Sequence, residues 1–316
     1  MKCGARFKVL AAAAVFVGLV IVLVVLADKC ETYDPVGYMQ ATAIQWWERN
    51  ENEQPLPLGG KARDKIIVVP AKEDADVSWV TNDLSDWQHA IYIVDPSNET
   101  RADSLTTPVN KGHEAMAYLT YIIDNYKSSI PEIVAFVHSH RDGFFKAWHV
   151  DTPLHDNVYA IRHLQLDYVK EKGYVNLRCN NNPGCKRPGR PNPHFVGNVW
   201  TEVMGNTSTP AFSQHPLSPA AQEASSTVED KERLEMMRPR LWTACCAQFA
   251  VSREQIYRRP VEDYVKIRQW VIDTEKSDAK SGRVMEYLWH VIFGQEAVHC
   301  PDVDTCYCKV YGRCSS

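Results

Sequence analysis

Three short apolar stretches alternate with helix-like segments between residues 65 and 139, and this alternation restricts the fold more than any other feature. The stretches KIIVVP (Lys65–Pro70), HAIYIVD (His89–Asp95) and EIVAFVHS (Glu132–Ser139) are apolar on both faces of a strand. Strands buried on both faces and separated by helices are typical of a mainly parallel sheet with helices on both sides. The sequence therefore predicts an α/β, doubly wound domain. Polar groups that follow its strands, such as Glu73 and Asp95, are expected at one edge of the sheet.

A longer helix is predicted in NKGHEAMAYLTYIIDNY, where apolar residues recur at helical spacing and Asn110 is a suitable N-cap. The free N–H groups at such a helix start, together with the charge of Lys111, are suited to binding a phosphate. An ordinary capped helix with a solvent-facing lysine explains the same residues. Asn110 and Lys111 are therefore candidates for substrate binding, and both interpretations stay open.

The N-terminus contains an unbroken apolar run, VLAAAAVFVGLVIVLVVLA, at residues 9–27. Such a run is long enough to cross a bilayer as a helix. Basic residues precede it and acidic residues follow it, which predicts a type II signal-anchor with residues 1–8 in the cytosol. The alternative is a cleaved signal peptide, since Val25-x-Ala27 resembles a cleavage site, and the protein would then be secreted.

The rest of the chain divides into a stem and a folded domain. Residues 28–63 lack a sustained period and suit a stem, whereas residues 64–316 are expected to form the α/β domain, with a Pro-rich excursion at about 180–224. Asn98 and Asn206 are acceptors for N-glycosylation if they lie in a secretory compartment. The net charge of -4, with mixed signs along the chain, argues against nucleic-acid binding.

Nine of the ten cysteines follow the apolar run, where an oxidising compartment permits disulfides. Cys179 and Cys185 enclose the turn-forming loop NNNPG and are compatible with a local bridge. The four cysteines of the C-terminal end, CPDVDTCYCKVYGRC, favour disulfides over zinc because paired C-x2-C motifs are missing. Cys245 and Cys246 are expected to be one buried thiol beside one bridged cysteine. The odd number leaves at least one cysteine unpaired.

The segment FVHSHRDGFFKAWH is the main candidate for a site. If the third strand continues through it, His138, His140 and Asp142 point to one side. Two imidazoles and a carboxylate suit a divalent cation such as manganese or zinc. The alternative is that the histidines bond to backbone or carboxylate groups at the end of the sheet, while Arg141 pairs with an acid.

Glu286, in SGRVMEYLWHVIFG, is a candidate general base, because its apolar neighbours would raise the pKa of its carboxyl by desolvation. Helical spacing also permits a structural role. In that case Glu286 lies on the polar side of the helix, while Leu288 and Trp289 face the core.

Several motifs in order resemble a fungal family of domains of unknown function, over about residues 65–312. They are VVPAKEDADVSWV, VNKGHEAMAYLTYIIDNY, VAFVHSHRDGFFKAWH, KGYVNLRC, CCAQFAVSREQI and SGRVMEYLWHVIFG. That family is similar in turn to glycosyltransferases of the GT-A, Rossmann-like fold that act in the Golgi lumen. The resemblance implies a membrane-anchored enzyme of the Golgi or endoplasmic reticulum lumen that takes a nucleotide-sugar donor and a hydroxyl acceptor.

The resemblance also implies a role for each candidate residue. Glu286 deprotonates the acceptor, and Asp142 is both catalytic and a metal ligand. The metal and the donor are held by a larger set, namely His138, His140, Asp142, Lys111, Arg141, Asn110, Glu73 and Asp95. The chain departs from the family pattern at one point, because such transferases bind metal through Asp-x-Asp, where this sequence has HSHRD. Either the histidines and Asp142 replace those carboxylates, or metal binding has been lost.

Two alternative functions fit the same residues. His-x-His-x-Asp also resembles the first metal motif of metallo-β-lactamase-like hydrolases, in which two zinc ions activate water. That family has a further histidine where this chain has Gly143. The third alternative is a lumenal binding or scaffold protein that keeps the fold without turnover.

Overall fold

The computed structural model describes residues 3–48, 64–128, 130–185, 199–205 and 241–314. The chain divides into two units, Met1–Glu53 and Gln54–Ser316. The helices and strands of the described residues are α1 (Cys3–Tyr33), α2 (Pro35–Glu48), β1 (Lys65–Ala71), α3 (Ser78–Asp83), β2 (Gln88–Ile93), β3 (Leu105–Thr106), α4 (Glu114–Asn125), β4 (Ile133–Phe136), α5 (Asn157–His163), α6 (Leu166–Lys172), β5 (Tyr174–Asn176), α7 (Val199–Met204), β6 (Trp242–Thr243), β7 (Phe249–Ser252), α8 (Arg253–Tyr257), α9 (Val261–Asp273), α10 (Asp278–Glu286), α11 (Trp289–Ile292), β8 (Val298–His299) and α12 (Val303–Tyr311).

The first unit consists of α1 and α2, separated at Asp34. This residue has a φ of 42°, and its carboxylate accepts a hydrogen bond of 3.1 Å from the backbone N–H of Gly37. An aspartate that caps the next helix in this way explains why α2 begins at Pro35. Helix therefore occupies the predicted stem as far as Glu48, and residues 49–63 of the stem lie outside the described residues.

Large apolar side chains from Val15 to Leu26 are exposed on α1. Among the residues that the structure describes, no helix is long and apolar enough to span a bilayer. The membrane span was predicted at residues 9–27. The side chains of its first part, up to Ala13, are not among those that the structure describes.

The second unit is built on a six-stranded sheet of order β3-β2-β1-β4-β7-β5. Strands β3, β2, β1 and β4 are parallel, with Val68 opposite Ala90 on one side and Phe136 on the other. Strand β7 runs antiparallel to both of its neighbours, β4 and β5. A separate parallel pair joins β6 to β8. The prediction of a mainly parallel sheet is thus confirmed.

Strand β1 buries both of its faces. Ile66 and Val68 belong to an apolar core formed with α4, α9 and α11, whereas Ile67 and Val69 belong to a second core formed with α3, α5, α6 and α12. Each buried side chain of this size stabilises the fold by about 1.5–3 kcal/mol. The sheet is therefore covered by helices on both faces, as the apolar strands indicated.

Two predicted boundaries are wrong, and both affect the site. The third strand ends at Phe136 instead of Ser139, because its antiparallel partner begins at Phe249. Gln248, the residue before Phe249, accepts the N–H of His138 with its side chain (2.9 Å) and not with its backbone. The alternation of side chains expected through Asp142 therefore stops. Helix α4 begins at Glu114, so Asn110 is not its N-cap.

Disulfides close the C-terminal end of the described chain onto the sheet. Cys179 pairs with Cys306, and Cys185 pairs with Cys300, with Cα separations of 5.5 and 5.7 Å. The prediction of a local Cys179–Cys185 bridge is therefore wrong, because Cys185 bonds to Cys300, just before α12, and Cys179 bonds to Cys306 within α12. The predicted disulfides of the tail are confirmed, and they include a further bridge between Cys308 and Cys314.

Two other cysteine predictions have different outcomes. Cys245 and Cys246 form a disulfide with each other, contrary to expectation. Cys246 has a φ of 92° and Ala247 one of 49°, so the chain makes a left-handed turn that brings the two adjacent side chains together. The prediction of an unpaired cysteine is confirmed by Cys30, which is free and exposed.

The Pro-rich excursion is described only at residues 180–185 and 199–205, and the second of these pieces contains α7. Asn206 lies outside the described residues. Asn98 is exposed in the turn after β2, and Thr100 of the same glycosylation motif donates its hydroxyl to Glu73. Its glycosylation stays a prediction.

Candidate functional site

The carboxyl ends of β1 and β4 form the topological switch point of the sheet. The chain continues from β1 to β2 and β3 on one side, whereas β4 lies on the other side. Open α/β sheets bind ligands at this point. Because β7 is antiparallel to β4, the residues that precede Phe249 reach the same edge. The end of β4, the start of α4 and the segment before β7 therefore contribute to one cluster.

His138 lies at the centre of this cluster, two residues beyond β4. Its Nδ1 lies 2.8 Å from Nε2 of His149, so one proton is shared between the two rings. Its Nε2 faces Oε2 of Glu114 at 4.0 Å and has no hydrogen-bond partner among the described residues. Buried side-chain nitrogens without a partner are rare in native proteins, and catalytic groups are among the exceptions.

Glu114 reaches the cluster because of a tight turn before α4. Gly112 has a φ of 78°, and a Cβ there would lie 2.4 Å from the side chain of Val271. His113 follows with a φ of 50°, and its N–H donates to Asp278 at 3.0 Å. A non-glycine residue in this conformation is strained, and such strain is concentrated at functional sites. The turn directs Glu114 toward His138.

Burial shifts the pKa values of these groups in opposite directions. Desolvation, together with the nearby carboxylate of Glu286, raises the pKa of Glu114 to about 8. Desolvation lowers the pKa of His138 to about 3 and takes that of His149 well below its usual value. At neutral pH the cluster therefore holds a protonated carboxyl beside two neutral imidazoles. A proton donor and a proton acceptor lie at its centre.

Glu286 belongs to the same cluster, as the sequence indicated. It is the last residue of α10, and burial raises the pKa of its carboxyl. Its Oε1 accepts the N–H of Cys246 at 2.7 Å, and its Oε2 accepts from Arg283 at 2.5 Å. Because both oxygens are engaged, Glu286 is better placed to influence Glu114 than to take a proton itself.

The disulfide between Cys245 and Cys246 forms one wall beside Glu286. These two cysteines pack with Tyr287 and Trp148 in a small apolar cluster. The guanidinium of Arg178 lies 5.4 Å from the ring of Trp148, and Arg178 donates to the backbone of Asn182 at 2.7 Å. Trp148 therefore connects the disulfide to the loop that carries His149.

The predicted metal ligands are not brought together. His140 and Asp142 are exposed, and Asp142 lies beside the guanidinium of Arg141 at 3.5 Å. Across the described part of the chain, the group of His, Cys, Asp and Glu side chains close enough to share a cation consists of Cys245, Cys246 and Glu286. The continuous strand on which this prediction relied is not present, because β4 ends at Phe136. Binding of manganese or zinc by His138, His140 and Asp142 stays a prediction.

The two basic residues predicted to bind phosphate have partners within the protein. Lys111 donates to the carbonyls of Ile272 and Thr274 at the end of α9, where a cation is favourable. Arg141 pairs with Asp83 at 2.7 Å and also lies near Asp142 and Asp156. Both positive charges are thus used to hold loops together.

The remaining predicted residues lie at the surface. Glu73 and Asp95 follow β1 and β2 at the expected edge, and the N–H of Glu73 donates to Asp95 at 2.9 Å. Both side chains are exposed, as is Asn110. Their part in substrate binding stays a prediction.

The site residues predicted from the sequence did not include Glu114, His149 or Gln248. His149 lies in the same short segment as His138, which was a usable signal. Gln248 and the strained turn before Glu114 left no signal in the sequence, because their importance comes from contacts between distant parts of the chain.

A cavity of about 550 Å³ lies at the opposite end of the sheet, lined by residues such as Glu132, Lys170 and Arg258. It is remote from the candidate chemistry.

The chain belongs to the family described as Protein of unknown function (DUF3431), which matches residues 67–309. The match covers the sheet, the Glu114–His138 cluster and most of the disulfides. No curated protein and no solved structure gives a significant match to the chain.

Proposed function

We propose that this protein is a glycosyl-transferring enzyme that uses a nucleotide-sugar donor and a hydroxyl acceptor. The observation that carries the proposal is the position of the Glu114 carboxyl, 4.0 Å from Nε2 of His138 at the switch point of the sheet, where burial raises the pKa of Glu114 and lowers that of His138. Carboxyls and histidines with opposed pKa shifts are the usual means of proton transfer in enzymes. The donor class rests on the resemblance to GT-A glycosyltransferases.

The reaction requires two proton-linked events. The bond between the sugar carbon and the diphosphate breaks, and a bond to the acceptor oxygen forms as the acceptor hydroxyl loses its proton. We assign that proton to Nε2 of His138, which has no hydrogen-bond partner in the part of the chain that the structure describes. His149 bonds to the other ring nitrogen and holds the ring in place. Glu114 then donates a hydrogen bond or its proton to the departing oxygen.

Glu286 has a different role in this proposal from the one that the sequence suggested. Its hydrogen bonds to Cys246 and Arg283 hold the carboxylate in place, and its charge helps to keep Glu114 protonated. It is therefore a positioning residue. The metal-dependent hydrolase stays an alternative, because no contact among His138, His140 and Asp142 favours it over the transfer reaction.

The direct test is release of nucleoside diphosphate from a panel of nucleotide sugars by the purified 316-residue chain, with simple sugars as acceptors. Loss of general acid–base catalysis typically lowers rates by about 10²–10⁴-fold. Glu114→Gln and His138→Gln are expected to lower kcat by at least about 10²-fold. Glu262→Gln is the matched control, because Glu262 is an exposed acid in the first turn of α9.

Three outcomes distinguish the alternatives. Equal turnover in Glu114→Gln and the unaltered protein would contradict the assigned site. Zinc-dependent ester or amide cleavage in the absence of nucleotide would favour the hydrolase. Binding of nucleotide sugars without turnover would favour a non-catalytic binding protein.

We also propose that residues 9–27 anchor the chain in a membrane, with the second unit in the lumen of the Golgi or endoplasmic reticulum. The proposal rests on the apolar run and on the exposure of its side chains from Val15 to Leu26. None of the helices that the structure describes is long and apolar enough to span a membrane, so the proposal relies on the sequence and on this exposure. Alkaline extraction of cell membranes should leave the protein in the pellet, and sealed microsomes should protect the second unit from protease. Recovery in the soluble fraction would refute the anchor.

A further inference from the structure

The geometry points to a redox-dependent metal site formed by Cys245, Cys246 and Glu286. We infer that, once the disulfide between the two cysteines is reduced, these side chains bind a thiophilic divalent cation such as zinc. The site is separate from the predicted histidine ligands. It also does not depend on the proposed transfer reaction.

The three ligand atoms are already close together. One atom from each residue lies within 4.8 Å of the other two. In a tetrahedral zinc complex, two thiolate sulfurs lie roughly 3.8 Å apart, and each lies roughly 3.6 Å from a carboxylate oxygen, as follows from the usual bond lengths. The sulfurs therefore need to separate only to this distance after the disulfide opens. The carboxylate oxygen starts within 4.8 Å of both sulfurs.

The protein holds the carboxylate at this position before any cation arrives. Glu286 accepts the N–H of Cys246, which keeps it beside the cysteine turn, and Arg283 binds its other oxygen. Ligands fixed by neighbouring hydrogen bonds bind metals more tightly. Tyr287 and Trp148 pack around the cysteines, so the surroundings are apolar and strengthen electrostatic attraction.

Charge balance also favours the site. In the oxidised protein the carboxylate of Glu286 is balanced by Arg283, so the pair is neutral overall. In the reduced, metal-bound form, a divalent cation, two thiolates, one carboxylate and the guanidinium again sum to zero. A buried group of charges is tolerated when it is paired. Neither state leaves an uncompensated charge in the apolar wall.

The chemical step is a thiol–disulfide exchange. A dithiol reductant supplies two electrons and two protons, the bond between the sulfurs of Cys245 and Cys246 breaks, and the reductant becomes a cyclic disulfide. Metal binding then releases the two thiol protons, because thiolates are the ligands. The oxidised protein has no thiolate at this position and is expected not to bind the cation there.

The test uses cobalt(II) as a spectroscopic probe of the full chain before and after reduction by a dithiol. We expect thiolate-to-cobalt absorption only after reduction, with one cobalt per chain at this site and displacement by zinc. The double variant Cys245→Ser/Cys246→Ser should lose this absorption. Glu286→Gln should weaken cobalt binding by about tenfold or more while both thiols remain.

The matched control is Cys308→Ser/Cys314→Ser, which removes another bridged pair, close to the C-terminus. It should leave the absorption intact, which separates this site from thiols released elsewhere. Absence of the absorption in the reduced, unaltered protein would refute the inference, as would equal absorption in Cys245→Ser/Cys246→Ser. This experiment measures metal binding by the reduced protein, whereas the test of the transfer reaction measures nucleotide-sugar turnover by the oxidised protein. A negative result in one is therefore distinguishable from a negative result in the other.

Discussion

Replacing Glu114 with glutamine should stabilise the protein at neutral pH, although it removes a group at the centre of the candidate site. The pKa of Glu114 is about 8 in the folded chain, compared with 4.5 for the ordinary carboxyl. The folded state therefore holds this proton more tightly than the unfolded state does. The contribution of Glu114 to stability is full below pH 4.5 and falls as the pH rises from 4.5 to 8.

The magnitude follows from the two pKa values. Stability falls by about 1.4 kcal/mol for each pH unit between them, which amounts to about 3 kcal/mol from pH 4.5 to pH 7. The Glu114 side chain is 15 % exposed, so screening by solvent removes little of this effect. For a domain of this size, about 3 kcal/mol corresponds to a change in Tm of about 6–12 °C. Glutamine has nearly the same shape and does not ionise, so it does not incur the loss.

The assay is calorimetric unfolding of the unaltered protein and Glu114→Gln from pH 5 to pH 8.5. The difference in Tm between the two proteins should grow with pH in favour of the variant and level off above pH 8. Taking the difference cancels the titration of other groups. Glu262→Gln, which changes an exposed acid in the first turn of another helix, is the control. A flat difference for Glu114→Gln would mean that its carboxyl is ionised at neutral pH, and the proposed proton donor would be lost.

Three further predictions concern the supports of the site. Replacing Cys179 and Cys306 with serine should lower the free energy of unfolding by about 3 kcal/mol in denaturant titrations, because the Cys185–Cys300 bridge stays in place and the removed bridge then closes a loop of only about 15 residues. Gly282→Ala should cost about 1–3 kcal/mol and shift the Tm downward, since a Cβ there would lie 2.3 Å from the ring of His113; an unchanged Tm would mean that the ring moves freely. Lys111→Met should lower stability by about 1–2 kcal/mol through lost bonds to the end of α9, while the KM for the donor stays the same; a raised KM would restore Lys111 as a phosphate ligand.

The sheet was predictable because its information is local. Each strand carries its own apolar run, and burial on both faces leaves a pattern in consecutive residues such as Ile66 to Val69. The end of each strand is less local, because β4 stops where its partner β7 begins at Phe249. That partner is more than a hundred residues away in sequence. The error in the predicted strand was sufficient to misplace the histidine ligands.

The candidate site was predictable in part. Position after a strand indicated that His138 lies at the functional edge, and apolar neighbours indicated that burial raises the pKa of Glu286. The partners of these groups were not predictable. Glu114 turns toward His138 only because the strained residue before it is bonded to Asp278.

The sequence by itself determined the class of fold, the edge of the sheet where polar groups collect, and the presence of disulfides, because apolar periodicity and residue type act over a few neighbouring residues. Tertiary structure alone decided which side chains meet. It paired Cys245 with its neighbour, directed Lys111 to a helix end, and placed Glu114 against His138. The energies of such contacts depend on distances of a few ångströms between segments that are far apart in the chain, and no local pattern records those distances.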